Sequence, residues 1–257
     1  MAYEHILVAS KGPYATITLN RPEKRNALSL ELMRELIAAF GEIGGGDTLG
    51  VIVAANGSVF SAGHDFADMA GADLVAMREL FATCTEMMTA IQQLPQPVIA
   101  RVHALATAAG CQLVASCDLA VAADSAGFAA PGGKGGLFCH TPMVAIARNV
   151  GRKRAFEMAL TGDIVDAVTA AQWGFINQAV PLAELDDAVS DLLSRACRGS
   201  SLSKAMGKQT LYAQLDLPQD QAYRYAVEMM AAASQTHDAK EGVAAFLEKR
   251  KPKFIGR

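Results

Sequence analysis

Four short apolar runs fix most of what this chain can become. "ATITLN" (Ala15 to Asn20) alternates and is rich in β-branched residues, the pattern of a strand. "GVIVAAN" (Gly50 to Asn56), "PVIARV" (Pro97 to Val102) and "DLAVAAD" (Asp118 to Asp124) are nearly continuous apolar stretches. They leave no polar face for water, so both faces must be covered, as in a parallel sheet flanked by helices. Helical patterns lie between them. "SLELMRELIAAFGEI" has Ser29 as its N-cap and leucines at helical spacing. Leu74 to Leu94 is helical until Pro95, and "ALATAAGCQLVASC" is a small-residue helix. Beyond Pro142 the spacing predicts helices over Pro142 to Leu160, Ala167 to Trp173, Ala183 to Cys197, Ser201 to Leu215, Gln219 to Ser234 and Asp238 to Arg250. The expected class is an α/β core followed by a helical C-terminal region, with no internal repeat.

The 257 residues are 51% hydrophobic, enough for one large core with a helical appendage. Only 19% are charged and the net charge is -3, which gives no footprint for nucleic acid or an anionic membrane. Any anionic ligand must therefore be met by a local cluster. The five cysteines, Cys84, Cys111, Cys117, Cys139 and Cys197, have no CxxC spacing and read as reduced, buried small hydrophobes. No apolar stretch is long enough to span a bilayer, and "MAYEHILVAS" lacks a signal-peptide pattern. A soluble cytoplasmic protein is the expectation.

Several familiar chemistries lack their motifs. "PGGKGGL" (Pro131 to Leu137) is glycine-rich around a lysine, but Gly135 stands where a phosphate loop needs Ser or Thr. No G-x-S-x-G elbow supports a serine hydrolase, and no glycine fingerprint supports a dinucleotide fold. His5, His64, His103, His140 and His237 show no ligand spacing, so no metal site is expected.

Two stretches share a layout. "FSAGHD" and "ATAAGCQ" each follow a strand and turn into a helix, and each has an alanine before a glycine: Ala62 before Gly63, Ala109 before Gly110. Small residues there fit tight strand–helix packing. The second reading is a place where a ligand approaches backbone N–H groups that could hold an oxyanion.

"ATITLNRPEKRNALSLELMREL", "FSAGHDFADM", "ALATAAGCQLVASCDLAVAAD", "AMGKQTL" and "EGVAAFLEKRKPKF" together resemble the crotonase (enoyl-CoA hydratase/isomerase) superfamily. The likeness runs from about Tyr14 to Phe254. Within the superfamily, "FSAGHD" and "GLFCHTPMVAIARNVGRKRAFEMALTG" resemble the group labelled enoyl-CoA hydratase domain-containing protein 3. The resemblance implies a spiral of ββα turns over residues 1–195 and a helical region over 196–257 that supports trimers, or hexamers as dimers of trimers. It implies acyl-CoA thioesters as ligands, with no resident cofactor because coenzyme A arrives on the substrate. It places Ala62 and Ala109 as oxyanion-hole residues. It puts the turn at Lys24 and Arg25, with Ala27, on the coenzyme side near the phosphates. His64, Asp65 and Phe66 fall along the coenzyme path, and Lys249, beside Arg250 and Lys251, can help with phosphates, in part across to a neighbouring subunit.

The chain departs from the hydratase pattern at two positions. Hydratases of this family carry one glutamate after Gly-Cys, where this chain has Gln112, and a second after Pro, where it has Gly132. A glutamine has no proton to exchange near neutral pH and a glycine offers only backbone. Each well-placed acid–base group contributes roughly 10²–10⁴-fold to such a reaction. The expectation is an acyl-CoA protein that keeps an oxyanion hole and lacks ordinary hydration. His140, near the spacing at which some isomerases of the family carry an acid, is the candidate base for isomerisation or thioester hydrolysis, against the alternative of a loop histidine satisfied by backbone. Asp68 and Glu86 are further acids that could enter the acyl pocket. The rival reading is a non-catalytic acyl-CoA-binding protein.

Overall fold

Burial follows the strand pattern read from the sequence. The computed structural model describes residues 3–257. β1 (Ile6–Lys11) and β2 (Tyr14–Leu19) form an antiparallel hairpin, and α1 (Leu30–Gly44) follows a charged turn. Ser29 caps α1 by accepting from the Leu32 N–H at 3.3 Å. Leu32, Met33, Leu36, Phe40 and Ile43, at helical spacing, form its buried stripe. β3 (Gly50–Ala55), α2 (Phe66–Met69), α3 (Leu74–Gln93), β4 (Val98–Val102), β5 (Ala106–Thr107) and α4 (Ala109–Ser116) come next. β6 (Leu119–Ala123), β7 (Gly127–Ala129), α5 (His140–Val150), α6 (Arg152–Thr161), β8 (Val165–Asp166), α7 (Ala167–Trp173) and β9 (Gln178–Val180) complete the core. α8 (Leu185–Ala196), α9 (Ser201–Leu215), α10 (Gln219–Ser234) and α11 (His237–Leu247) close the chain.

One sheet runs in the order β1-β2-β3-β4-β6-β9, parallel from β2 onward, and a second runs β5-β7-β8. Successive turns repeat a rule. β3, then a bridge at Ser61, then α3; β4, β5, then α4; β6, β7, then α5. Ser61 pairs with Ala106, so each turn places one segment in each sheet before its helix. This is the expected spiral of ββα turns. The main core, including Phe40, Phe60, Phe128, Met87 and Ile91, fills the space between the helices and the sheets. On the other face, Leu185, Val189 and Leu193 of α8 cover Ile99 and Val121. Each fully buried side chain of this size contributes roughly 1.5–3 kcal/mol.

One helix differs from the sequence expectation. Pro142 to Leu160 is not one helix. α5 ends at Gly151, whose φ of +77° and ψ of 167° turn the chain before α6 begins. The helix expected over Leu74 to Leu94 is α3, and a separate short helix, α2, precedes it. Asp73 starts α3 afresh by accepting from Val75 and Ala76 N–H groups. α9, α10 and α11 pack on one another, and α9 also touches α3. No helix among the described residues is long and apolar enough to cross a membrane.

Candidate active site

Three backbone segments meet at one corner: the turn before α1, the loop between β3 and α2, and the N-terminus of α4. Asn26 organises the first. It is fully buried with φ of +50°, and its side chain accepts from the Arg21 N–H at 2.9 Å and donates to the carbonyls of Asn56 (2.7 Å) and Val59 (3.1 Å). Its own carbonyl accepts from the Ser61 hydroxyl at 2.8 Å, which ties the turn to the loop. Nothing in the charge pattern of "RPEKRNAL" singled this asparagine out. Its fixed turn leaves Lys24 and Arg25 exposed and Ala27 buried. Neither Lys24 nor Arg25 makes an ion pair among the described residues.

Glycines fix how closely the other two segments approach. Gly63 has φ of +91°, and a Cβ placed on it would lie 2.9 Å from the Ala108 Cβ and 3.3 Å from the Ala109 nitrogen. A Cβ on Gly110 would lie 2.5 Å from the Ser61 carbonyl oxygen. Ala108, between β5 and α4, takes φ of +49° and ψ of -120°. For a non-glycine residue that conformation costs about 1–3 kcal/mol. It turns the chain so that α4 starts at Ala109, and the Ala108 N–H is itself spent on the Ala129 carbonyl at 2.9 Å.

The backbone hydrogen bonds then decide which amides are free. The Ala62 N–H donates to the Arg25 carbonyl at 3.0 Å, so Ala62 cannot serve as an oxyanion donor as the sequence suggested. Its neighbour two residues on differs. The Gly63 carbonyl accepts from Leu28 at 2.7 Å and the Asp65 N–H reaches the Leu28 carbonyl at 3.3 Å, which leaves the His64 N–H without an acceptor among the described residues. The Ala109 N–H, in the first turn of α4, is also without one. The close approach of Gly63 to Ala109 brings these two amides to the same corner. Amides so placed can hold a thioester oxygen as it gains negative charge. The signal that could have found His64 is the left-handed glycine before it, which reverses the direction of the next N–H.

Gln112 sits one turn along α4 and is 5% exposed. Its Oε1 takes only a weak bond from the Cys84 thiol at 3.9 Å. Its Nε2 makes no hydrogen bond, yet is not among the fully enclosed unpartnered atoms, so it faces open space. Burial pushes the Cys84 thiol up to about 12, so it keeps its proton. The ring of His64 meets Phe81 of α3 edge-on at 5.4 Å. Both its ring nitrogens are enclosed and lack a partner in hydrogen-bonding geometry. Burial lowers its pKa, and the nearby Leu28 carbonyl and Asp68 carboxylate oppose that. Asp68 itself accepts from the Leu30 N–H at 2.8 Å. Asp65 caps α2 and pairs with Arg21 at 3.3 Å, and Phe66 is exposed.

The remaining expected residues lie on other elements. His140 is exposed at the first residue of α5, its ring tilted against Phe138 at 5.1 Å. No hydrogen bond or ring contact links it to Gln112, because α5 turns Pro142, Ile146 and Val150 inward instead. No contact among the described residues carries the expected role of His140 as a base. Lys249 follows α11, which packs on α9 and α10. Glu86 is exposed on α3. Gly132 is bound to its place by sterics: a Cβ there would lie 2.2 Å from the Leu137 carbonyl oxygen and 2.7 Å from the Cys139 sulfur. No side chain fits without moving that loop. Among the described residues no three His, Cys, Asp or Glu side chains group as a metal site.

Comparison with known proteins gives consistent relatives. The family described as enoyl-CoA hydratase/isomerase matches residues 10–257. A zebrafish (Danio rerio) protein named "Enoyl-CoA hydratase domain-containing protein 3, mitochondrial" is 44% identical over 250 residues, covering 96% of this chain and 86% of its own. An enoyl-CoA hydratase structure from Mycobacterium smegmatis superposes with a TM-score of 0.94 at 46% identity, covering 97% of this chain and 98% of the other. The human enoyl coenzyme A hydratase domain-containing protein 3 structure superposes with a TM-score of 0.93 at 40% identity, covering 97% and 100%. The zebrafish relative carries "mitochondrial" in its name, as do those of rat, mouse and human. That overturns the cytoplasmic expectation, which rested on reduced cysteines and on apolar and N-terminal patterns that carry no such address.

Proposed function

Because this chain belongs to the enoyl-CoA hydratase/isomerase family, we propose that it binds acyl-CoA thioesters and stabilises a negatively charged thioester oxygen with the N–H groups of His64 and Ala109. The observation that carries this reading is the pair of unspent amides that Gly63 and the strained Ala108 bring together. The exposed Lys24 and Arg25 supply local positive charge for coenzyme A phosphates on a chain of net charge -3. Asp65 and Phe66 lie along the coenzyme path beside them. Coenzyme A enters as part of the substrate, and no resident cofactor is needed.

Ordinary hydration is absent in this reading. Gln112 supplies an amide where a carboxylate would activate water, and position 132 has room for no side chain. The same two observations favour a second reading, a protein that holds acyl-CoA without turnover. Calorimetric titration with butyryl-CoA and an assay of crotonyl-CoA hydration separate the outcomes. Tight binding without hydration is expected, and Gln112→Glu alone is expected not to restore it. Failure to bind any CoA thioester overturns the reading, and so does rapid hydration by the unaltered protein.

Residues 196–257 supply the association region in this proposal. Leu211, Leu215, Val227, Met230 and Phe246 are exposed in the single chain, and a trimer or a pair of trimers would cover them and bring Lys249 toward a neighbour. Light scattering on the purified protein tests this, and a monomer overturns it.

A further inference from the structure

Three side-chain amides are buried among the described residues: Asn26, Gln96 and Gln112. The Asn26 nitrogen donates to two carbonyls, and Gln96 Nε2 donates to the Ile43 carbonyl at 3.2 Å. Gln112 differs. The residue is 5% exposed, its Nε2 has no acceptor, and that atom is not sealed in. A buried amide N–H without a partner is costly, so one left unspent beside an opening is placed for a ligand.

The direction of this amide is fixed by its neighbour. The Cys84 thiol lies 3.9 Å from Gln112 Oε1. Burial pushes that thiol up to about 12, so it keeps its proton and offers it to an oxygen. The amide oxygen therefore meets the thiol, and the two N–H groups of Nε2 point away from it. Cys84 stands one turn after Phe81, which meets the His64 ring, so the amide reaches the wall of the same corner. Gln112 also stands one turn after Ala109 on α4. Side chains of a helix lean toward its N-terminus, which carries the Gln112 amide back over the Ala109 turn. The axial rise between the two residues is about 4.5 Å, the reach of two or three carbons of an acyl chain.

We propose that Gln112 Nε2 binds an oxygen on the β-carbon of the acyl group, so that this chain selects 3-oxoacyl thioesters. The proposal rests on the acyl-CoA reading above and names its substrate class. The thioester oxygen meets the N–H groups of His64 and Ala109, and the keto oxygen meets Gln112. With Oε1 turned to Cys84, the amide shows the ligand donors only. A keto oxygen only accepts, so it fits. A hydroxyl would bring a hydrogen that finds no acceptor on that side. An unsubstituted chain would displace water from Nε2 and leave its N–H groups unpaired, which is how a polar site rejects a ligand lacking the matching group. A carboxylate at this position would show the ketone only acceptors. The residue that removes the acid thus supplies the donor.

The test is calorimetric titration of the full chain with acetoacetyl-CoA, 3-hydroxybutyryl-CoA and butyryl-CoA. The wild-type chain should bind acetoacetyl-CoA at least about 10-fold more tightly than butyryl-CoA. Gln112→Met, which keeps an unbranched side chain and removes the donor, should bind the two within a few-fold of each other. A general loosening of the fold would weaken both thioesters together and leave their ratio unchanged, so an unchanged ratio in Gln112→Met overturns the proposal. Should Gln112→Met not fold, the infrared stretch of the keto carbonyl serves. It should fall in frequency when acetoacetyl-CoA binds the wild-type chain, and an unmoved stretch overturns the proposal. A preference for 3-hydroxybutyryl-CoA over acetoacetyl-CoA also overturns it. Equal wild-type binding of acetoacetyl-CoA and butyryl-CoA overturns it too, and leaves the acyl-CoA reading standing. Absence of binding to all three removes both.

Discussion

Asp118 and His64 are both polar side chains set in apolar surroundings, and only one of them is fully bonded. Asp118 accepts from the Val98 N–H at 2.7 Å and the Tyr212 hydroxyl at 2.8 Å, and pairs with Lys208 at 2.7 Å. Lys208 spends its remaining protons on the carbonyls of Ile91 and Gln96, each at 3.0 Å. Burial pushes Asp118 up and Lys208 down, and each partner pulls the other back. The cluster joins α9 to β4, β6 and the end of α3. His64 has no such closure, and its corner keeps two amides, an imidazole and the Gln112 amide unspent. A satisfied polar cluster fixes where an element docks. An unsatisfied one, held open by glycines and a strained alanine, keeps its hydrogen bonds for something else.

The comparison breaks most readily at Lys208. Lys208→Met leaves Asp118 enclosed without its cation and should cost about 3–5 kcal/mol in urea unfolding. A loss below about 1 kcal/mol would show that the cluster is no anchor. In the loop after β7, Gly132→Ala forces a methyl against the Leu137 carbonyl and should cost about 1–3 kcal/mol. An unchanged melting temperature would show that the loop yields, and would make an introduced acid feasible there. Tyr212→Phe removes one bond to Asp118 and should cost about 1–2 kcal/mol by the same denaturation. The smallest effect belongs to His64→Leu, which removes no hydrogen bond and should change stability by less than about 1 kcal/mol at pH 8.

The His64 variant also carries a pH signature. The folded ring's pKa lies below its ordinary value of about 6.5, so the unfolded chain binds the proton more readily. The stability from keeping the ring neutral is present above about pH 6.5 and is lost as pH falls from there toward the folded value. Unfolding curves of wild type and His64→Leu should therefore converge or cross as the pH is lowered. Parallel curves would show that the ring is not enclosed in solution.

Much of the fold was legible because burial on both faces writes itself into composition. β3, β4 and β6 are continuous apolar runs, and α1 carries its cap and its stripe within one segment. β1 was not legible. Only Ile6 of its six residues is buried, so as an edge strand it shows no alternation. The break at Gly151 was missed because one glycine inside a helical pattern can continue the helix or end it, and its φ is set by how α5 and α6 pack. Lys208 looked like any lysine on a helix until α9 docked.

The site divides in the same way. By itself the sequence marked Gln112 and Gly132 as the two positions where the crotonase resemblance expects an acid and finds none, since acid–base capacity is a property of side-chain identity. It also marked the paired small-residue turns, since only small residues permit such close backbone approach. Which amides are free was decided by the tertiary structure alone. The Arg25 carbonyl, from a different segment, takes the Ala62 N–H and leaves the His64 N–H unspent. A hydrogen bond needs both partners in place, and a pattern along the chain records only one of them.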